Sequence, residues 1–219
     1  MKIKTLIKNV FIILGLMIIP VAAGAQDITL PAPVKSGGKP LMDALNERQS
    51  TREFKSDDLT LQQLSNLLWA GWGINRQADM KRTAPSSRNV QEIDVYVSLR
   101  SGLYRYDAVG NLLKQVHGRD IRALTGTQDF VGQAPVNLIY VADMAKLGKK
   151  EGDQITGQDL LAPWANTGFI AQNVYLYCAS ANLGTVVRGL VDRDKLAPEM
   201  GLKSNQVIIL AQTVGVPVK

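Results

Sequence analysis

The sequence predicts an α+β (mixed α/β) domain with a central mixed sheet flanked by helices. Three observations predict it. "APVNLIYVAD" and "NQVIILAQTVGVP" are almost continuously apolar, as strands buried on both faces are. "LQQLSNLLWAGW" and the stretch from Pro163 to Asn182 carry apolar residues at helical spacing instead. Helical and strand patterns interleave along the chain without an internal repeat, which favours one layered domain.

Residues 1–25 have the layout of a secretory signal peptide. Lys2, Lys4 and Lys8 precede the short apolar run "VFIILGLMII", and Ala23-Gly24-Ala25 offers a small-residue cleavage site. The apolar run is shorter than the roughly 20 residues a membrane span prefers. The expectation is therefore an exported protein, periplasmic or secreted, with no membrane segment in its mature form. Residues 26–40, containing "PAPVKSGGKP", read as a Pro/Gly tether, and residues 41–219 as the folded domain.

The domain opens with "LMDALNER", a short helix expected to turn Leu41, Ala44 and Leu45 inward. Thr60 is placed to cap a helix carrying Leu61, Leu64, Leu67 and Leu68 on one face, with Gly71 and Gly73 closing it. "INRQADMKRTAPSSRNVQ" reads as polar loop. "EIDVYVSLR" and "GLYRYDAVGNLLKQV" read as strands, the second a hairpin about Val109-Gly110-Asn111, and "GRDIRALTG" as a short helix. The long helix from Pro163 to Asn182 carries the stripe Trp164, Gly168, Ala171, Tyr175 and Cys178, whose small members would let another helix approach. "LGTVVRGLV" reads as extended, "DRDKLAPEMG" as a short helix, and "NQVIILAQTVGVP" as the last strand.

Composition excludes several function classes. The chain has 219 residues and a formal charge of +6, which falls to +3 without the three lysines of residues 1–25. It has no long basic run, so no nucleic-acid partner is expected. Cys178 and His117 are the only residues of their kinds, which leaves no disulfide, no metal cluster and no matched Ser-His-Asp set. His117 reads as a turn residue.

"ERQSTREF" carries the clearest binding signal. On an extended backbone Arg48, Ser50 and Arg52 point to one side, because side chains alternate between faces. Two guanidiniums and a hydroxyl suit a phosphate, whose oxygens an Arg fork matches bidentately. The same seven residues also fit a solvated charged strand.

Four segments taken together resemble the FMN-dependent nitroreductase superfamily, and within it most closely the azoline-oxidising dehydrogenase branch. They are "ERQSTREF", "LSNLLWAGWGIN" leading to "RTAPSSRNVQEIDVYV", "GLYRYD", and "ANLGTVVRG" followed by "IILAQTVGVP". The resemblance implies a nitroreductase-like, dimeric fold that binds FMN. It implies that Arg48, Ser50 and Arg52, with the backbone of Gln49, hold the phosphate. Pro85, Ser86, Ser87 and Asn89 would reach flavin across a homodimer interface, with Arg82 adding a charge. Asn89 stands where the azoline branch tends to carry a hydrophobe, and is similar there to the classical nitroreductases. Val187, Arg188 and Gly189 would line flavin N5 through their backbone, with no side-chain acid or base required. Gly168 would lie near the ring, and Trp164 near the ring or the substrate, although Trp164 equally fits a core position. Many relatives continue past the last strand into a basic arm, whereas this sequence ends at "VGVPVK" with Lys219.

The activity so implied is ping-pong electron or hydride transfer between a small-molecule donor and a nitroaromatic, quinone or similar acceptor. The alternative is an exported flavin-binding or scavenging protein without turnover.

Overall fold

The structure is a computed structural model that describes residues 26–218. The signal-peptide reading and Lys219 fall outside the described residues. Five α-helices and nine strands are present among those described. Seven of the strands form one sheet: β1 (Ile28–Thr29), β4 (Ile93–Leu99), β5 (Gly102–Asp107), β6 (Leu112–His117), β7 (Val136–Asp143), β8 (Gly184–Arg188) and β9 (Gln206–Gly215). Their spatial order is β1-β6-β5-β4-β7-β9-β8. The α+β class holds, but the sheet is not mixed: each described pairing is antiparallel.

Strand β7 lies at the centre, paired with β4 on one side and β9 on the other. Both of its faces are covered, which explains its apolar run. Val136, Leu138, Tyr140 and Ala142 join the larger core, while Ile139 and Val141 join a smaller one on the opposite face. The larger core is roofed by α2 (Leu61–Trp72) and α4 (Leu161–Ser180), and the smaller by α5 (Arg193–Glu199).

Helix α2 starts as its sequence dictates. The Thr60 hydroxyl accepts from the Gln63 amide, and the Gln63 side chain accepts from the Thr60 amide, a complete capping box. Leu64, Leu67, Leu68 and Trp72 are buried, whereas Leu61 in the first turn stays exposed. Gly73 ends the helix, but Gly71 does not: it lies inside α2, where a Cβ would sit 3.0 Å from Val174 Cγ2 of α4. The close helix approach expected of the α4 stripe is thus made through a glycine of α2, onto Ile170 and Val174. The stripe itself divides. Ala171, Tyr175 and Cys178 are buried, and Trp164 and Gly168 are exposed.

Four further readings change. Residues 26–40 are not a free tether. Thr29 and Ile28 pair with β6, Ser65 Oγ donates to Pro31 O, and the Lys39 amide donates to Ser180 Oγ. They form a strap across α2 and α4. On α1 (Leu41–Glu47) only Ala44 is buried, and Leu41 and Leu45 face outward. The polar stretch after α2 contains a small hairpin, β2 (Ile74–Arg76) with β3 (Lys81–Arg82). His117 ends strand β6 rather than sitting in a turn, with Nε2 3.0 Å from Glu199 O. The α2–α4 contact gives a direct test: Gly71→Val forces branched bulk into that seam. It is expected to cost about 1–3 kcal/mol of stability, read as a lowered denaturant midpoint with unchanged slope.

Candidate functional site

The segment from Arg48 to Phe54 has no regular structure of its own and is held by the edge of the sheet. The Thr51 amide donates to Thr185 O of β8 at 2.9 Å, and Phe54 bridges to Pro217 beyond β9. Two facing glycines, Gly184 and Gly215, make room for it. A Cβ on Gly184 would lie 2.9 Å from Thr51 Cγ2, and one on Gly215 would lie 3.0 Å from Phe54 Cδ1.

Pinning Thr51 fixes the alternation. Gln49 and Thr51 line a cavity of about 550 Å³ with Glu47, Asn182 and Thr185. Arg48 and Ser50 meet at Tyr175 of α4, which also lines this cavity. The Arg48 guanidinium lies over its ring at 5.4 Å, and Ser50 Oγ is 2.9 Å from its hydroxyl. Arg52 opens onto a neighbouring hollow with Phe54, Asp129 and Phe130. Among the described residues neither Arg48 nor Arg52 has a carboxylate within ion-pair reach, although eleven other pairs form. Arg48 and Ser50 thus share one place beside Tyr175, while Arg52 opens onto its own hollow.

The Tyr175 hydroxyl also accepts from the Val187 amide at 3.0 Å. One tyrosine therefore joins the Arg-Ser-Arg segment to β8. Of the three backbone positions predicted there, Val187 is engaged by this bond. Gly189, one residue past the strand, is exposed, and a Cβ on it would meet only Leu210 at 4.0 Å. The Arg188 side chain turns away into the sheet. It donates to Thr213 Oγ1, Thr125 O and Asn137 Oδ1, and burial lowers its pKa to about 10.

The loop from Pro85 to Asn89 lies at the start of α4. Pro85, Ser87 and Asn89 are exposed, and Arg88, Asn89 and Gln91 adopt left-handed backbone angles. The Ser87 amide donates to Asn166 Oδ1, whose amide nitrogen in turn donates to the buried Glu92 carboxylate at 2.7 Å. Ser86 Oγ accepts from the Gln91 amide. Arg82 is not a free charge. Its guanidinium stacks on Trp72 at 4.9 Å and donates to Trp72 O and Gln91 Oε1, and burial lowers its pKa. It braces the loop from within.

Trp164 and Gly168 project from the same half of α4 as Asn166, with Trp164 44 % exposed. A core role for Trp164 is excluded within one chain. Beside them Leu161 and Phe169 are exposed, as are Leu41, Met42 and Leu45 on α1. The structure thus gathers Arg48, Ser50 and Val187 at one point and places the Pro85–Asn89 loop beside Trp164 and Gly168.

Sequence reading missed Tyr175 as a site residue, treating it as part of a packing stripe. Its partners lie 125 residues before and 12 after it, so no local pattern connects them. Asn166 and Glu92 were missed for the same reason. Among the described residues no group of His, Cys, Asp and Glu is placed to hold a metal, and no helix is long and apolar enough to cross a membrane.

Known proteins resemble this chain in sequence and fold. Residues 45–216 match the Nitroreductase family. A crystal structure from Ralstonia eutropha, provisionally named a nitroreductase, is 45% identical, superposes with a TM-score of 0.82, and is matched over 93% of its length and 91% of this chain. A protein of Methanocaldococcus jannaschii, also provisionally named a nitroreductase, is 28% identical over 180 residues, 78% of this chain and 88% of its own. A further crystal structure of this provisional name, from Desulfovibrio desulfuricans and in complex with FMN, shares the fold at 19% identity and a TM-score of 0.59, over 84% of this chain and 89% of its own.

The glycine notch can be tested directly. Gly184→Val pushes a branched side chain against the branched side chain of Thr51. The variant is expected to lose about 1–3 kcal/mol of stability, and the amide of Thr51 is expected to lose protection from hydrogen exchange. Parent-like protection at Thr51 would mean that the notch does not hold the segment.

Proposed function

The chain belongs to the nitroreductase family and is an oxidoreductase of that type, and from that premise we propose that it binds FMN at the Arg48–Arg52 segment and works by ping-pong electron or hydride transfer. The observation that carries the reading is the pair of guanidiniums without carboxylates, flanking Ser50 on a segment pinned to the sheet edge. An FMN phosphate carries close to two negative charges at neutral pH, and two Arg forks with one hydroxyl match it in charge and donors. The FMN complex of the Desulfovibrio desulfuricans structure, on the same fold, supports this choice of cofactor.

When bound, FMN supplies the redox chemistry at N5 and lets donor and acceptor use one face in turn. The protein's residues do the rest. Arg48, Ser50 and Arg52 anchor the phosphate, with Gln49 contributing backbone. The backbone at the end of β8, Arg188 and the exposed Gly189, would supply N–H groups to the reactive end, where a fixed donor favours developing negative charge. Pro85, Ser86, Ser87 and Asn89 cover the ring, with the Asn89 amide able to donate to a carbonyl and accept from an N–H. Gly168 leaves room for the ring, and Trp164 shapes the acceptor pocket. The acceptor is a nitroaromatic, quinone or similar small molecule. Residues 1–25 export the chain, so its electron donor is one available outside the cytosol.

The same reading includes a homodimer with two sites at its interface. The exposed apolar residues Leu41, Met42 and Leu45 on α1, and Leu161, Trp164 and Phe169 on α4, support it. So does the exposed Pro85–Asn89 loop, which needs a ring to cover.

Two results are expected. Arg48→Ala and Arg52→Ala each weaken FMN binding roughly 10- to 100-fold, the equivalent of about 1.5–3 kcal/mol for a lost charge-assisted bond, with the fold intact. Unchanged dissociation constants in an FMN titration would place the phosphate elsewhere. Light scattering of the flavin-loaded protein at micromolar concentration is expected to give twice the chain mass; a stable monomer retaining stoichiometric FMN would refute the interface sites.

A further inference from the structure

We propose that Tyr175 is a positioning residue that sets the Ser50 hydroxyl as a proton donor toward the bound phosphate, and so gives the site its preference for a phosphorylated flavin. The inference rests on the FMN reading above and goes beyond it, because it assigns the direction of a hydrogen bond and a source of specificity.

The Tyr175 oxygen accepts from the Val187 amide at 3.0 Å and lies 2.9 Å from Ser50 Oγ. Tyr175 has one proton to give. The residue is 8% exposed, so that proton needs an acceptor within the protein, and among the described residues Ser50 Oγ is the one within reach. Ser50 is exposed. If Ser50 donated to Tyr175 instead, the phenol proton would have no protein acceptor among the described residues. The favoured order is therefore Val187 N–H to Tyr175 O, and Tyr175 O–H to Ser50 Oγ. The Ser50 proton is then free to point outward from the exposed serine, beside Arg48. Chained bonds of this kind polarise one another, which strengthens the terminal donor.

Arg48 adds to the effect. Its guanidinium lies over the Tyr175 ring at 5.4 Å, where the ring's negative face steadies the cation. One buried tyrosine thus fixes two of the three groups offered to a phosphate, and its hydroxyl ties them to the backbone of β8.

The test compares FMN with riboflavin, which differs by the phosphate. Affinities for both are measured by fluorescence titration on the parent, Tyr175→Phe, Ser50→Ala and the double variant. Tyr175→Phe removes one oxygen and keeps the ring. It is expected to weaken FMN roughly 3- to 12-fold, within the range of a lost neutral hydrogen bond, with riboflavin affinity within twofold of the parent. Ser50→Ala is expected to do the same. The double variant is expected to match Ser50→Ala within twofold, because Tyr175 acts through Ser50. Unaltered riboflavin binding also shows that the variant is folded. Three results overturn the proposal: Tyr175→Phe binding FMN as the parent does, FMN and riboflavin losing affinity equally, or losses that multiply in the double variant. If Ser50→Ala and Arg48→Ala both leave FMN affinity unchanged, the phosphate site itself is wrong and the inference falls with it. If those two weaken FMN and Tyr175→Phe does not, the inference about Tyr175 alone is lost.

Discussion

A single backbone hydrogen bond, Thr51 N–H to Thr185 O at 2.9 Å, organises the candidate site. It can form because Gly184 and Gly215 face each other across β8 and β9 and leave no Cβ in the way. Once Thr51 is pinned, alternation decides the rest. Arg48 and Ser50 turn to Tyr175, while Gln49 lines the cavity that Tyr175 and Cys178 of α4 also line. The strength of any one of these contacts is modest, since a net intramolecular hydrogen bond contributes only about 0.5–1.5 kcal/mol. Their value lies in order. A segment without regular structure acquires one conformation because an edge strand supplies its missing partners.

The rest of the fold serves that edge. An edge strand normally exposes unpaired backbone groups and invites association. Here part of the β8 edge is covered by the Arg48–Phe54 segment, and Val187 N–H is capped by Tyr175. Tyr175 can reach it because α4 lies across the sheet, and α4 lies there because Gly71 lets α2 close against Ile170 and Val174. On the far face Arg188 clamps β8 to Asn137, Thr213 and the turn at Thr125 without a carboxylate partner. A buried guanidinium satisfied by neutral oxygens keeps its charge, and with it a positive field beneath the strand that leads to Gly189.

Much of this was legible in the sequence because it is local. The capping box needs Thr60 and Gln63 three residues apart, and the buried central strand needs only its own apolar run. The pleat of an extended chain led to an expected Arg-Ser-Arg face; the structure brings Arg48 and Ser50 together at Tyr175 and opens Arg52 onto a separate hollow. What was not legible is relational. The sheet was expected to be mixed and is antiparallel throughout, because interleaved helices and strands do not by themselves fix strand direction. Leu41 and Leu45 were expected inward and lie outside, because helical spacing names a face but not what covers it. Arg82 looked like a free charge in sequence, yet Trp72 and Gln91, ten residues before and nine after, take up its donors. Tyr175 was hidden among packing residues because its hydroxyl partners are remote in the chain.

The central claim is that this edge holds a flavin that accepts and returns electrons. It is tested most directly by the visible absorption spectrum of the purified protein after addition of FMN and gel filtration, followed under anaerobic conditions by reduction and then addition of a quinone or nitroaromatic. The account predicts a protein-bound flavin band that bleaches on reduction and returns when the acceptor is added. A protein that leaves the column colourless, or a bound flavin whose reduced form survives the acceptor, would contradict it.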